Sequence, residues 1–294
     1  MVSMDPINPT LSVLYSELVL SLYPVLIKSV QTNTFTQVLG RFLVFPALAF
    51  AFGSTNDFRL IWGNPYEAFV GILNSVFNLL HIGVSYLSFK ELPIGTAISL
   101  FYLYPIFNVL AGTLFFGESI SFFSILFVLL AFYGVYLITT SYKDKDKKKS
   151  EKYQFGVLMG ILAAITETLI FVFIRSNKDA QASPFYTVNH LYPAGLAGLL
   201  AYAISRPALV DTNTSHWLKI LGFNALLGFT GYVARFYAIP RIPTIVFSVL
   251  SFIGVFFGYI WGILFTKDEI TTRALMGSGL IASSIAVLRY MELL

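Results

Sequence analysis

The chain has 294 residues and a net charge of +4, but only 12% of its residues are charged and 56% are hydrophobic. Soluble globular chains carry about 25% charged residues, so this composition, with a mean hydropathy of +0.75, excludes a soluble fold and indicates that much of the surface faces lipid. The sequence has no cysteine, which excludes disulfides and thiolate metal sites. Most of the excess positive charge lies in one lysine run, so the net charge does not indicate nucleic-acid binding.

Ten apolar stretches follow one another along the chain, and each is long enough to cross a bilayer as a helix of about 20 residues. We number them spans one to ten, at residues 11–30, 35–53, 66–88, 94–116, 120–140, 155–174, 184–204, 217–238, 244–265 and 272–289. Continuous apolar runs favour helices over membrane β-strands, which alternate over segments of about ten residues. We therefore predict an all-α membrane protein with ten transmembrane helices. The first span is expected to be retained, because no basic region precedes it.

A long hydrophilic segment lies between spans five and six and contains six lysines between Tyr142 and Lys152. It divides the chain into a first five-helix unit at residues 1–141, a linker at 142–153 and a second five-helix unit at 154–294. We interpret the segment as a solvated linker. The alternative is a contact with anionic lipid, because lysines next to a membrane attract such lipids.

The second unit repeats the first at an offset of 150 residues, with no gap. Asn224 corresponds to Asn74 and Glu167 to Glu17, and the spans and turns stay in register. Because five is an odd number of spans, the second unit must be inverted relative to the first. Inverted repeats are typical of secondary transporters, in which the substrate site lies near the membrane midplane between the halves.

Four motifs carry a family resemblance: Lys90-Glu91-Leu92-Pro93, Tyr104-Pro105, Phe115-Phe116-Gly117-Glu118 and Gly134-Val135-Tyr136-Leu137. Through them the chain resembles the drug/metabolite transporter superfamily, specifically its EamA-type members with two five-helix repeats. The second unit departs from the pattern, with Lys267-Asp268 in place of the usual Gly-Glu and Val255 in place of the proline. The resemblance implies a transporter of a small molecule such as an amino acid, nucleotide sugar, phosphorylated sugar or drug.

Span three carries Asn74, Asn78 and His81 on one helical face. A charged side chain at membrane depth costs roughly 2.5–3.5 kcal/mol on insertion scales, so polar residues there usually face the bundle interior. We predict that these three residues line the cavity and contact the substrate. The alternative is a hydrogen-bonded seam between helices, which membrane bundles use routinely.

The equivalent face of span eight carries Asn224, Gly228, Gly231 and Arg235. We predict that Asn224 and Arg235 contact the substrate and that the two glycines open space for it. Arginine suits carboxylate and phosphate groups because its planar fork donates two parallel hydrogen bonds. The alternatives for Arg235 are an ion pair with a carboxylate of the protein or a position at the membrane interface.

Glu17 in span one and Glu167 in span six are symmetry-related carboxylates within the membrane. Burial favours the neutral acid, so each is predicted to take up and release a proton during transport or to supply counter-charge. The alternative is a buried pair with Arg235, His81 or a backbone group that holds helices together.

Span four carries a polar and aromatic patch that includes Tyr102 and Asn108, which we predict to contact the substrate. Pro105 is expected to kink this span, because proline removes a backbone hydrogen bond. Ordinary aromatic packing is the alternative for the tyrosine. The glycines of span nine are expected to serve close helix packing; they are Gly254, Gly258 and Gly262.

Three further charged residues are assigned structural roles. Arg41 in span two is expected to anchor at the membrane interface, as arginine side chains near span ends do. Glu118 and Asp268 lie in the turns before spans five and ten. Carboxylates in such turns cap the N-terminus of a helix.

The sequence contains no nucleotide-binding loop, no Cys/His metal spacing and no Ser/His/Asp set, so we expect no enzyme activity, cofactor or metal. The prediction is a secondary transporter that moves a small polar or amphipathic metabolite by alternating access, with spans three, four, eight and nine lining the cavity. A non-transporting scaffold or regulator and a passive channel are the alternatives. The expected partners are the substrate and the lipid bilayer, with the protein a monomer or homodimer.

The orientation in the membrane stays open. The positive-inside rule places the lysine-rich linker in the cytoplasm, whereas the family resemblance places both termini there. The sequence does not identify the host membrane.

Overall fold

The computed structural model describes residues 8–116, 122–141, 147–242, 247, 250–251 and 253–291. Within these ranges the regular structure is entirely helical and no strand occurs, which confirms the predicted all-α fold. Glu118 and residues 142–146 of the lysine-rich linker lie outside the described residues, so the expectations for them have no structural counterpart.

The first repeat contains spans one to five and one short connecting helix, Thr55–Trp62. Spans one and four are each built from two helices. In chain order the spans are Pro9–Leu20 with Tyr23–Ser29, Thr34–Phe52, Pro65–Glu91, Ile94–Phe101 with Tyr104–Phe116, and Phe122–Thr139.

The second repeat contains spans six to ten and the short helix Lys178–Ala182. Span seven is divided in two, and spans eight and nine each contain a π-helical turn. In chain order the spans are Lys147–Ser176, Pro184–Leu191 with Pro193–Ser205, Thr214–Phe223 with Asn224–Gly228 and Phe229–Ala238, Ile253–Trp261 with Gly262–Thr266, and Thr272–Met291.

Proline explains where the divided spans restart. Pro24, Pro105 and Pro193 each occupy the first or second position of the second helix of a divided span. Proline lacks a backbone N–H, so it is tolerated in the first turn of a helix but breaks a helix that passes through it. Span four was expected to kink at Pro105, and the structure instead has a full break between Phe101 and Tyr104, just before that proline.

In the described part of the chain, five helices are long and apolar enough to cross a membrane on length and composition: Pro9–Ser29, Thr34–Phe52, Pro65–Glu91, Glu151–Ser176 and Thr214–Ala238. Three further spans contain shorter apolar helices, at Ile94–Asn108, Ile125–Ile138 and Ile253–Thr266. Large apolar side chains cover the outside of the bundle, with Leu114 79% and Leu226 73% exposed. Soluble proteins rarely expose so much contiguous apolar surface to water, so this is an integral, multi-pass membrane protein.

Glycines allow several spans to approach one another closely. Spans five and ten cross at Gly134 and Gly277, where a Cβ on Gly277 would lie only 2.5 Å from the carbonyl oxygen of Gly134. Span nine packs on span four, and a Cβ on Gly258 would lie 2.7 Å from Ile98. The predicted role of the span-nine glycines in close helix packing is thus confirmed.

The glycines of span eight do not open space for a substrate, so that prediction is wrong. A Cβ on Gly228 would collide with the hydroxyl of Tyr23, and one on Gly231 would lie 2.6 Å from Val19. Side chains of span one fill the space that the missing Cβ atoms leave. These glycines bring span one, from the first repeat, into close contact with span eight, from the second.

Candidate functional site

A buried ion network joins the two repeats at the centre of the bundle. The Nη1 atom of Arg235 donates to Oε1 of Glu17 at 2.7 Å. The Nε and Nη2 atoms of the same guanidinium donate to Oε1 of Glu167 at 3.1 and 2.8 Å. Arg235, Glu17 and Glu167 are 2%, 0% and 3% exposed, respectively, so solvent does not screen these charges.

His81 extends the network from span three. Its Nε2 lies 3.3 Å from Oε2 of Glu167, and its Nδ1 lies 3.2 Å from the carbonyl oxygen of Ala163 and 2.9 Å from Oγ1 of Thr166. Because the Thr166 hydroxyl donates to backbone carbonyls, Nδ1 must carry the proton that faces Ala163. The contact between Nε2 and Oε2 then needs one further proton, held by either His81 or Glu167.

One carboxylate oxygen of Glu17 lies outside the hydrogen bonds of the network. Its Oε2 atom is buried and has no hydrogen-bond partner among the described residues. A Cβ on Gly254 would lie 2.8 Å from that oxygen, so the glycine makes room for the carboxyl group. An ionised carboxylate oxygen without a partner is costly inside a protein, and protonation removes much of that cost.

A small cavity lies beside the network. Its volume of about 40 Å³ holds only a few water molecules. Spans one, two, three, four and eight contribute the wall, whose polar members are Ser21, Tyr23, Arg41, His81, Ser85, Tyr86, Tyr102, Tyr232 and Arg235. The predicted contributions of spans three, four and eight are present. Spans one and two were not expected to line the cavity, and no described residue of span nine does so.

The structure separates the predicted substrate contacts into two groups. His81, Tyr102 and Arg235 line the cavity, whereas Asn74, Asn78, Asn108 and Asn224 do not. For the three residues that line the cavity, contact with the substrate stays a prediction.

Asn74 and Asn78 connect span three to span seven. The Nδ2 atom of Asn74 lies 3.2 Å from Nδ1 of His190, and Nδ2 of Asn78 donates to the carbonyl oxygen of Leu191 at 2.9 Å. These contacts are those of the alternative reading, a hydrogen-bonded seam between helices.

Asn224 connects span eight to span one. It accepts a hydrogen bond from the Tyr23 hydroxyl at 2.8 Å and donates to the carbonyl oxygen of Ile220 at 2.8 Å. It begins the π-helical turn Asn224–Gly228, a distortion that frequently occurs at functional sites. Asn108 differs, because neither atom of its buried amide has a hydrogen-bond partner among the described residues.

Two structural assignments need correction. Arg41 does not anchor at the interface: it is 2% exposed and lines the cavity. Its position, the eighth residue of span two and thus about 10 Å into the helix, is the sequence signal that could have identified it. Asp268 does cap a helix, but it accepts from the backbone N–H of Ile94 at the start of span four, not from span ten, and it pairs with Lys28 at 3.2 Å.

The comparisons with known proteins agree with this architecture. A model of the EamA-like transporter family matches residues 9–140 and 154–290, one match for each repeat, which confirms the resemblance seen in the sequence. A solved structure described only as the crystal structure of a protein is similar, with a TM-score of 0.65, 16% identity, and coverage of 97% of this chain and 98% of the other. At that identity the likeness shows the fold alone. No curated protein matches the sequence.

Proposed function

Because the chain belongs to the EamA-like transporter family of the drug/metabolite superfamily, we propose that it is a secondary transporter that moves a small polar or amphipathic metabolite by alternating access. The proposed units are residues 1–141 and 154–294, joined by the linker at 142–153. The observation that carries the proposal is the buried network of Glu17, His81, Glu167 and Arg235 in and beside the wall of the cavity.

The network supports this function because it crosses the boundary between the repeats. Glu17 and His81 belong to the first repeat, whereas Glu167 and Arg235 belong to the second. Alternating access requires the two halves of an inverted-repeat transporter to move against each other around a central site. Contacts that span the boundary must then break or exchange partners in each cycle.

Protonation provides a way to loosen those contacts. A proton on Glu17 or Glu167 removes the negative charge that holds the Arg235 guanidinium, and the unpartnered Oε2 of Glu17 is available to receive one. A carboxylic acid binds a guanidinium far less strongly than a carboxylate does. We therefore assign Glu17 and Glu167 to proton coupling or, if no proton moves, to counter-charge.

The size of the cavity supports a moving carrier over a passive channel. A volume of about 40 Å³ is far below the 300–1,000 Å³ or so of sites that bind small molecules. A metabolite therefore enters only after the repeats move apart. A channel would instead need a continuous path that is wide enough for the solute.

A thermal-shift screen of the purified protein tests whether it binds a small solute at all. The panel contains amino acids, nucleotide sugars, sugar phosphates and cationic drugs. A transporter gives saturable stabilisation by one class, because a ligand that binds only the native state stabilises it by mass action. A panel without any stabilising compound favours the scaffold alternative.

Variants of the two carboxylates test their proposed role. Uptake of the stabilising compound into proteoliposomes should lose its response to a pH gradient in the Glu17→Gln and Glu167→Gln variants. Glu151→Gln is the matched control, since Glu151 is an exposed carboxylate at the start of span six. Normal, pH-responsive uptake by a protein that carries both glutamines would remove the coupling role.

A further inference from the structure

Arg41 is a second buried cation in the cavity wall, and the network around Arg235 does not include it. Its Nε and Nη2 atoms donate to the hydroxyl of Tyr192 at 3.1 and 2.8 Å. Only 2% of the residue is exposed, and it lies well inside span two. The guanidinium therefore cannot extend to the interface, as arginines near span ends do, and its charge must be accommodated inside the protein.

Aromatic rings surround this guanidinium. The ring centroids of Tyr23, Phe45, Tyr192 and Tyr232 lie 4.9, 4.9, 5.8 and 4.3 Å from its central carbon. Aromatic faces attract a cation, but they carry no net charge. Among the residues that the structure describes, the acidic groups in ion pairs contact other cations, and none contacts Arg41.

The two arginines of the cavity wall thus differ in what they can bind. Arg235 already donates to two carboxylates through Nε, Nη1 and Nη2, so an incoming anion would meet the negative charge of Glu17 and Glu167 there. Among the described residues, the hydrogen-bond acceptor of Arg41 is a neutral hydroxyl, that of Tyr192. An anion that enters the cavity gains a charge-assisted hydrogen bond at Arg41 without breaking an ion pair.

We propose that Arg41 is the subsite for an anionic group of the cargo, a carboxylate or a phosphate, and that the transported compound is an organic anion. The inference rests on the proposed transport function. The planar fork of arginine matches the geometry of both oxyanions. Tyr86 supplies a further donor, because its hydroxyl is buried and unpartnered among the described residues and its side chain lines the same cavity.

The aromatic residues also suggest how the rest of the cargo is held. Tyr23 and Tyr232 line the cavity beside Arg41, and the hydroxyl of Tyr23 is fixed by its hydrogen bond to Asn224. Rings in this position offer flat apolar surfaces next to a cation. The site therefore suits an anion with an apolar or ring-shaped body and disfavours a cationic drug.

Ligands matched in shape and different in charge test the inference. Full-length protein in detergent is titrated with benzoate, benzamide and benzylamine, and with glucose 6-phosphate and glucose, and thermal stability is followed. We expect saturable stabilisation by the anionic member of one set and none by its neutral or cationic counterparts. The set that responds distinguishes a carboxylate from a phosphate.

Two variants connect the binding to the proposed residues. Arg41→Gln should weaken the affinity for the anion at least tenfold, the loss expected for charge-assisted hydrogen bonds. Tyr86→Phe should weaken it by about threefold to tenfold and leave the stability of the ligand-free protein unchanged, because it removes only an unpartnered hydroxyl. Tyr66→Phe is the matched control, since that tyrosine is 70% exposed.

The proposal is overturned if no anion stabilises the protein, if neutral and anionic members stabilise it equally, or if both variants bind the anion with wild-type affinity. Tyr86→Phe is expected to fold normally, so the test does not depend on whether Arg41→Gln folds. A neutral or cationic compound that is bound saturably and transported would refute the anion subsite alone and leave the transport function standing.

Discussion

Replacement of Arg235 by methionine tests the buried ion network at the centre of the bundle. The substitution keeps an unbranched apolar side chain in the span but removes the guanidinium, which makes hydrogen bonds of 2.7, 2.8 and 3.1 Å. Glu17 and Glu167 would then remain buried, at 0% and 3% exposure, without the guanidinium that joins them.

The expected cost follows from this burial. Removing one partner of a buried ion pair typically costs about 3–5 kcal/mol, because the other charge is left uncompensated. Replacing all the charges with neutral groups of similar volume is often close to neutral. We therefore expect Arg235→Met to lower the free energy of unfolding by about 3–5 kcal/mol and the triple variant with Glu17→Gln and Glu167→Gln to regain most of that loss.

The comparison is made by thermal and denaturant unfolding of the three proteins in the same detergent. The triple variant should be stable but inactive in transport, since it lacks the two carboxylates that we propose respond to protons. Wild-type stability of Arg235→Met, or a triple variant no more stable than the single one, would refute the reasoning that these charges are buried and paired.

Two other predictions concern the fold. Gly277→Ala should destabilise the protein by about 1–3 kcal/mol, because the new Cβ would lie 2.5 Å from a carbonyl oxygen of span five; Gly279→Ala, with no atom within 4 Å of its Cβ, should leave stability unchanged or raise it. Equal unfolding temperatures for the two alanine variants would count against the crossing of spans five and ten. Lys267→Gly should stabilise the protein by about 1 kcal/mol, because Lys267 has a φ of 52°, which glycine adopts without strain; a lower unfolding temperature would contradict this.

Hydropathy and the internal repeat identified the fold because both are visible in the sequence without knowledge of which helices pack together. Continuous apolar runs predict membrane helices whatever their neighbours are, and Pro105 predicts that span four is not a continuous helix. The residue that stands where a glycine is usual, Lys267, takes the left-handed conformation there. The short connecting helices at Thr55–Trp62 and Lys178–Ala182 were not predicted, because they are too short to show a period.

The site was only partly predictable, because a polar stripe does not reveal which helix it will face. The pairing of Arg235 with carboxylates was among the alternatives, but only the packing of spans one, six and eight selects it. Asn74 and Asn78 share a face with His81, yet they meet span seven at its division near Leu191. Arg41 was assigned to the interface from residue type, although its depth in span two argued against that position.

Counterflow in proteoliposomes tests the central claim most directly. Vesicles loaded with an unlabelled compound from the thermal-shift screen are diluted into a trace of the same compound carrying a radioactive label. An alternating-access carrier exchanges the two and accumulates label transiently above its equilibrium level, with a rate that saturates as the concentration rises. Uptake that rises linearly without an overshoot would indicate a channel, and no uptake above that of protein-free vesicles would indicate a scaffold; either result would contradict the account.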